Sequence, residues 1–252
     1  MIKFFRHIRQ SLIMNNQTER YFKYAFGEIV LVVIGILIAL QINNWNEKHQ
    51  AQNKMVSNFQ NLIEDLESNK LQLSNLIERR IEISEGAGLL IDNYENQIQV
   101  NENNFIALLF PVLSERNFKI NRNGIDKVVS SSAYELEQME TIRDLIKSYI
   151  QINNTLNAFE IKENAAIENM EMITAGNGYF RTVWKTFRKN RFKTTTDYNN
   201  PDFDFLKIME NDELLYILFR YEFVTQTASK HYNDLTEKGD EIIKAIEDYK
   251  TK

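Results

Sequence analysis

The densest concentration of chemistry in the chain is the segment 178–193, GYFRTVWKTFRKNRFK. Six cations, Arg181, Lys185, Arg188, Lys189, Arg191 and Lys193, stand there without one acid, interleaved with Tyr179, Phe180, Trp184, Phe187 and Phe192. Such a mixture can stack bases and hold phosphates, bind an anionic lipid surface, or cover an acidic part of the same chain. The formal net charge of −5 argues against nucleic acid as the partner, since nucleic-acid-binding domains carry a basic excess. The anionic-partner and self-packing readings stay open.

The remaining reactive residues form no constellation. His7, His49 and His231 are far apart, and none sits in HExxH or another metal-binding spacing. His231 falls on an apolar helical stripe and reads as a hydrogen-bonded core histidine. His49 reads as solvated surface, with the capacity to respond to pH. The acids Glu64, Asp65 and Glu67, or Glu168 and Glu171, are near neighbours on helix faces, whereas acid–base work needs carboxylates opposed across a cleft. There is no Gly-rich phosphate loop, GxSxG elbow or EF-hand loop. With no cysteine, disulfides, thiolate metal sites and thiol nucleophiles are excluded together. The expectation is a protein without catalytic, metal or cofactor residues that is not an enzyme.

What must position these residues is read from the apolar pattern. Ile29, Val30, Leu31, Val32, Val33, Ile34, Gly35, Ile36, Leu37, Ile38, Ala39 and Leu40 form an unbroken apolar run. Extended to 24–42 it contains only Glu28 and Gln41 as interruptions, and at ~1.5 Å per residue it covers ~28 Å, close to a hydrocarbon core. Tyr21, Phe22, Tyr24 and Phe26 crowd one end and Trp45 marks the other, as an interfacial aromatic belt would. The ten Leu, Ile and Val residues of the run favour insertion by roughly 3–6 kcal/mol in total. Glu28 would cost ~2.5–3.5 kcal/mol at mid-bilayer and less near the headgroups, where it falls. No small-x-small cleavage pair follows Ala39, so the spacing predicts a retained transmembrane helix.

Lys3, Arg6, Arg9, Arg20 and Lys23 precede the span, against Lys48 and Lys54 in the twenty residues after it. That asymmetry predicts a cytoplasmic N-terminus and an exported remainder. Residues 2–13 place Ile2, Phe5, Ile8 and Leu12 on one helical side, which suits a segment lying on an anionic leaflet as well as a plain basic tail. Within the span, Gly35 and Ala39 form a small-xxx-small pair that would let two helices approach. The expected partners are therefore the lipid bilayer and either a second copy or another envelope protein.

The run 27–47, GEIVLVVIGILIALQINNWNE, together with the preceding IKFFRHIRQ, strongly resembles the N-terminal signature of a family of uncharacterised single-pass inner-membrane proteins of Gram-negative bacteria. The resemblance is specific over about 45 residues; 121–150 and 211–249 are similar only in general pattern. It implies inner-membrane anchoring and a mostly helical body. It implies no activity and no functional residues.

For that body, few glycines and prolines and long Glu/Lys/Leu/Ile-rich stretches predict helices. Trp45, Val56, Phe59, Ile63, Leu66, Leu73 and Ile77 make a first stripe, with Gln52 and Lys70 as polar interruptions, and 85–88 (EGAG) suggest a turn. Residues 89–113 read as a helix or two short ones, divided near 101–104 and stopped by Pro111; 114–123 reads as loop, with Asn123-Gly124 as its turn signal. Ser131 or Ser132 is expected to cap a helix striped by Ile142, Leu145, Tyr149, Ile152, Leu156, Phe159, Ala166, Met170 and Ile173, broken only by Glu163 and ended near Gly176. Leu214, Ile217, Tyr221, Val224, Ala228, His231, Leu235, Ile242, Ile246 and Tyr249 stripe the last helix, with Gly239 its weak place. The fold class expected is all-α: a basic segment 1–23, a transmembrane helix 24–42, and a periplasmic helical bundle 43–252 with coiled-coil-like packing.

Overall fold

The structure, a computed structural model, describes residues 18–176 and 203–251. Among them there is helix and connecting chain but no strand. Helix α1 runs Thr18–Glu95, α2 Glu102–Val112, α3 Asn123–Val129, and a 3-10 turn Glu137–Met139 leads into α4, Glu140–Gly176; α5 spans Phe205–Met209 and α6 Asp212–Lys250. The chain divides into two compact units, Met1–Ser57 with Ser131–Ala133, and Asn58–Ser130 with Tyr134–Lys252. Helix α1 contributes to both.

In the first unit the apolar run lies wholly within α1, and none of its most hydropathic stretch is buried. All ten Leu, Ile and Val residues between 29 and 40 are exposed. Trp45 is exposed too and stacks on His49, the rings 5.6 Å apart and 3° from parallel.

In the second unit three long helices lie side by side. Phe59 meets Tyr249, Lys70 meets Asp240 and Arg80 meets Tyr232, so α1 and α6 run in opposite directions. Tyr149 meets Asn69 and Glu163 meets Arg220, which sets α4 parallel to α1. One apolar cluster gathers Ile83, Leu90, Phe105, Leu109, Phe205 and Leu218 from α1, α2, α5 and α6. Helices α2 and α6 start on capping side chains: the Asn101 amide oxygen accepts the Asn104 N–H at 2.9 Å, and Asn211 accepts that of Leu214 at 3.0 Å.

Several local expectations are corrected. The EGAG sequence makes no turn, because α1 continues to Glu95. A Cβ on Gly86 would meet Leu108 at 3.1 Å, so the small residues there serve close approach of α2. The break before α2 falls at 96–101, and Pro111 lies inside that helix, one residue before its end. Asn123-Gly124 opens α3 instead of turning the chain. No helix begins at Ser131 or Ser132; α4 starts at Glu140. On the stripes, Ile146, Ile167 and Tyr232 take the core positions expected of Leu145, Ala166 and His231, while Trp45 and Val56 are exposed. His231 is half-buried, with its ring 5.3 Å from that of Phe159.

Candidate functional site

Two features stand out in the second unit: a polar strap fastened across the helices, and an uncovered aromatic face with a groove beside it. The strap is the connection 114–122 between α2 and α3. Its main chain is held by side-chain amides that use both ends at once. Asn69 accepts the Asn121 N–H at 2.7 Å and donates to the Asn121 carbonyl at 2.9 Å. Gln72 treats Lys119 in the same way, at 2.7 and 3.0 Å. From α4, Asn164 accepts the Arg116 N–H at 3.2 Å and donates to the Arg116 carbonyl at 3.4 Å. Each amide stands in for a neighbouring strand, pairing backbone groups that the strap, having no helix or sheet of its own, leaves without main-chain partners. Asp65 continues the row, accepting the Gly124 N–H at 2.6 Å. Residues 58, 61, 65, 69 and 72 thus make a polar stripe of 3–4 spacing beside the apolar one, with Asn58 on the Lys127 carbonyl and Asn61 on the Lys127 ammonium.

Between Arg116 and Lys119 the strap is held by charge. Both carboxylate oxygens of Glu160 accept the Phe118 N–H, at 3.1 and 3.0 Å, and Oε1 also accepts the Tyr232 hydroxyl at 2.7 Å. The Tyr232 oxygen in turn accepts Arg80 Nε–H at 3.1 Å. Glu160 is 1% exposed, Tyr232 fully buried and Arg80 3% exposed. Burial pushes the Glu160 carboxyl above its usual range, opposed by the Tyr232 hydroxyl, the Phe118 amide and the Arg80 charge. One turn further along α4, Glu163 binds Arg220 at 2.6 Å. Arg116 lies over the Tyr221 ring, 5.5 Å from its centroid, and bonds the Ser114 carbonyl at 2.7 Å and the Pro111 carbonyl.

The second feature is the outward side of α6. Tyr216, Phe219 and Phe223 follow one another by three and four, opposite the buried Leu214, Ile217, Leu218 and Tyr221. They are 62%, 49% and 72% exposed. A groove of about 380 Å³ adjoins them between α4 and α6, floored by Ala166, Met170 and Ile217 and edged by Asn169, Asp212 and Tyr216.

Of the sequence-predicted site residues, the anchor run and the pair Gly35 and Ala39 lie on exposed α1, and a Cβ on Gly35 would meet nothing within 4 Å. The basic segment Arg181, Lys185, Arg188, Lys189, Arg191 and Lys193 lies outside the described residues, as do His7 and the stripe of residues 2–13. Among the described residues no three His, Cys, Asp or Glu side chains are grouped to hold a metal ion. Sequence reasoning missed Glu160 and the clamping amides; the signal available was their 3–4 spacing, shared with the apolar stripes.

The class these features define is, among the described residues, an all-helical protein with one helix near the N-terminus long and apolar enough to cross a membrane. Residues 28–114 match a family of unknown function, DUF6090, a stretch holding the apolar run, the Asn69 and Gln72 clamps and all of α2. No curated protein and no solved structure matches the chain.

Proposed function

We propose that this is a single-pass protein of the bacterial inner membrane, N-terminus in the cytoplasm, whose helical body beyond the membrane acts by binding another envelope protein and not by catalysis. The observation that supports it most is the apolar run itself: ten large aliphatic side chains on one helix, none covered by the folded chain. Uncovered apolar surface of that extent is unfavourable in water and comfortable in lipid. The basic residues before the span support the orientation. The docking surface is the ridge Tyr216–Phe219–Phe223. Its exposed neighbours on α6 include Asp212 and Glu222, while Arg220 is engaged by Glu163. An apolar ridge with acidic edges fits a partner helix that is apolar on one face and basic at its flanks.

The test is a photo-crosslinking amino acid at position 219 or 223 in native membranes, with Glu237 on the same helix as control. Adducts to another protein that are confined to the ridge and weakened by Glu222→Lys support the reading. Equal labelling at Glu237, adducts to lipid, or a dimer of this chain alone would overturn it. For the anchor, full-length protein recovered in the soluble fraction would refute lipid insertion. A cysteine at position 150 that a periplasmic thiol reagent cannot reach, but that reacts once the membrane is opened, would refute the orientation.

The groove supports a second reading, a ligand-sensing module that signals through a partner. Its apolar floor and the acids Asp212 and Glu213 at its edge, with the lining Arg220 already paired to Glu163, suit a small organic cation. Saturable shifts of Ala166 and Ile217 resonances on adding such cations would favour it, and their absence would count against it.

A further inference from the structure

The strap is fastened by two kinds of chemistry, and only one of them responds to protons. Asn69, Gln72 and Asn164 hold it with neutral amides, which do not titrate. Glu160 holds it with a carboxylate whose two oxygens share the Phe118 N–H, while Oε1 also takes the Tyr232 hydroxyl. The geometry points to a proton-operated latch: the Glu160 carboxylate fastens the middle of the strap to α4, and its protonated form slackens it.

A proton taken up from solvent on Oε2 turns that oxygen from an acceptor into a donor. The Phe118 N–H then keeps only Oε1, already engaged by Tyr232, and loses its charged acceptor. Hydrogen bonds to an ionised acceptor are about twice as strong as neutral ones. The ends of the strap stay fixed by Asn164 and Asn69, so slackening is confined to residues around Phe118, whose ring is buried.

The charged and titratable groups facing Glu160 set the balance. Arg80 from α1 favours the carboxylate, and so does the Tyr232 hydroxyl from α6. Glu163, one turn along α4, is engaged by Arg220 of α6, and Arg116 of the strap turns to the Ser114 and Pro111 carbonyls. Against these stands burial, which favours the acid and brings proton uptake toward milder pH. The latch needs no ligand other than the proton and is independent of what the α6 ridge binds.

Hydrogen exchange, read amide by amide on the full-length chain in nanodiscs between about pH 4 and 8, tests this. After correction for intrinsic exchange, Phe118 protection should fall about tenfold on acidification, the scale of a lost charged acceptor. Lys119 and Asn121 should hold theirs. Glu160→Gln should give the slackened value at every pH. Tyr232→Phe, which deletes one donor to the carboxylate, should move the transition to higher pH. Phe118 protection that is flat with pH, a fall shared equally by Lys119 and Asn121, or a Tyr232→Phe midpoint unchanged from wild type would each overturn the latch.

Discussion

At the scale of single residues, the body is organised around charges that its apolar stripes conceal. Glu163 looks like an interruption in the α4 pattern, yet it is buried against Arg220 at 2.6 Å. Glu160 sits deeper still. A buried ion loses its hydration, so removing one partner leaves the other uncompensated. Glu160→Ala should therefore lower stability by about 3 kcal/mol or more, measured as a shift in the denaturant midpoint, whereas Glu160→Gln should cost less because it retains an acceptor. The pH dependence follows from direction. The folded state holds the Glu160 proton more readily than the unfolded chain, so this group's contribution is present in acid and lost as pH rises from 4.5 through its raised value. Tyr149 acts the same way at the alkaline end. Burial pushes its hydroxyl from 10 up to about 12, against the hydrogen bond donated by Asn69. Stability should decline as pH rises across that interval, and Tyr149→Phe should flatten the decline in an alkaline melting series.

At the scale of elements, what matters is how side-chain amides replace missing backbone partners. Asparagine opposes helix slightly, and its abundance in this chain looks like noise in a helical pattern. In α1, however, Asn58, Asn61 and Asn69 project to one side and read the chain from 119 to 127, with Asp65 and Gln72 in the same row. Asn69→Ala removes two bonds to Asn121 and one to Tyr149 and should cost about 2–3 kcal/mol at ~1 kcal/mol each. Gln72→Ala, at a more exposed clamp, should cost less, and thermal melts of the two variants give the order. Gly124 belongs at this scale too. A Cβ there would fall within 2.6 Å of the Asn61 carbonyl carbon and closer still to the Leu62 backbone. Gly124→Ala should force α3 off α1 and destabilise by about 1–3 kcal/mol, as overpacking does. The Asn-Gly pair reads as a turn only because a sequence cannot show that another helix passes at that point.

At the scale of the whole molecule, α1 carries an uncovered apolar run while the second unit buries its apolar stripes. As the proposed anchor, the apolar run would gain roughly 3–6 kcal/mol by insertion, and each arginine placed near its centre would cost about 2.5–3.5 kcal/mol. Ile34→Arg with Leu37→Arg should therefore cancel the gain and move the protein from the membrane pellet to the supernatant or to degradation, as fractionation and immunoblotting would show. The long apolar helix was legible in the sequence because hydropathy summed over a contiguous stretch needs no knowledge of neighbours. The all-helical character was legible for a related reason: scarce glycine and proline and apolar residues at 3–4 spacing act locally. Which member of each stripe is buried was not, and Tyr232 displaced His231 from the core because helix rotation is fixed by the partner helices. The strap, the Glu160–Tyr232–Arg80 chain and the exposed α6 ridge were decided by tertiary structure alone. They join residues between 42 and 152 positions apart, or leave a face without a partner. Burial and hydrogen bonding at that range depend on where helices cross, which no stretch of sequence contains.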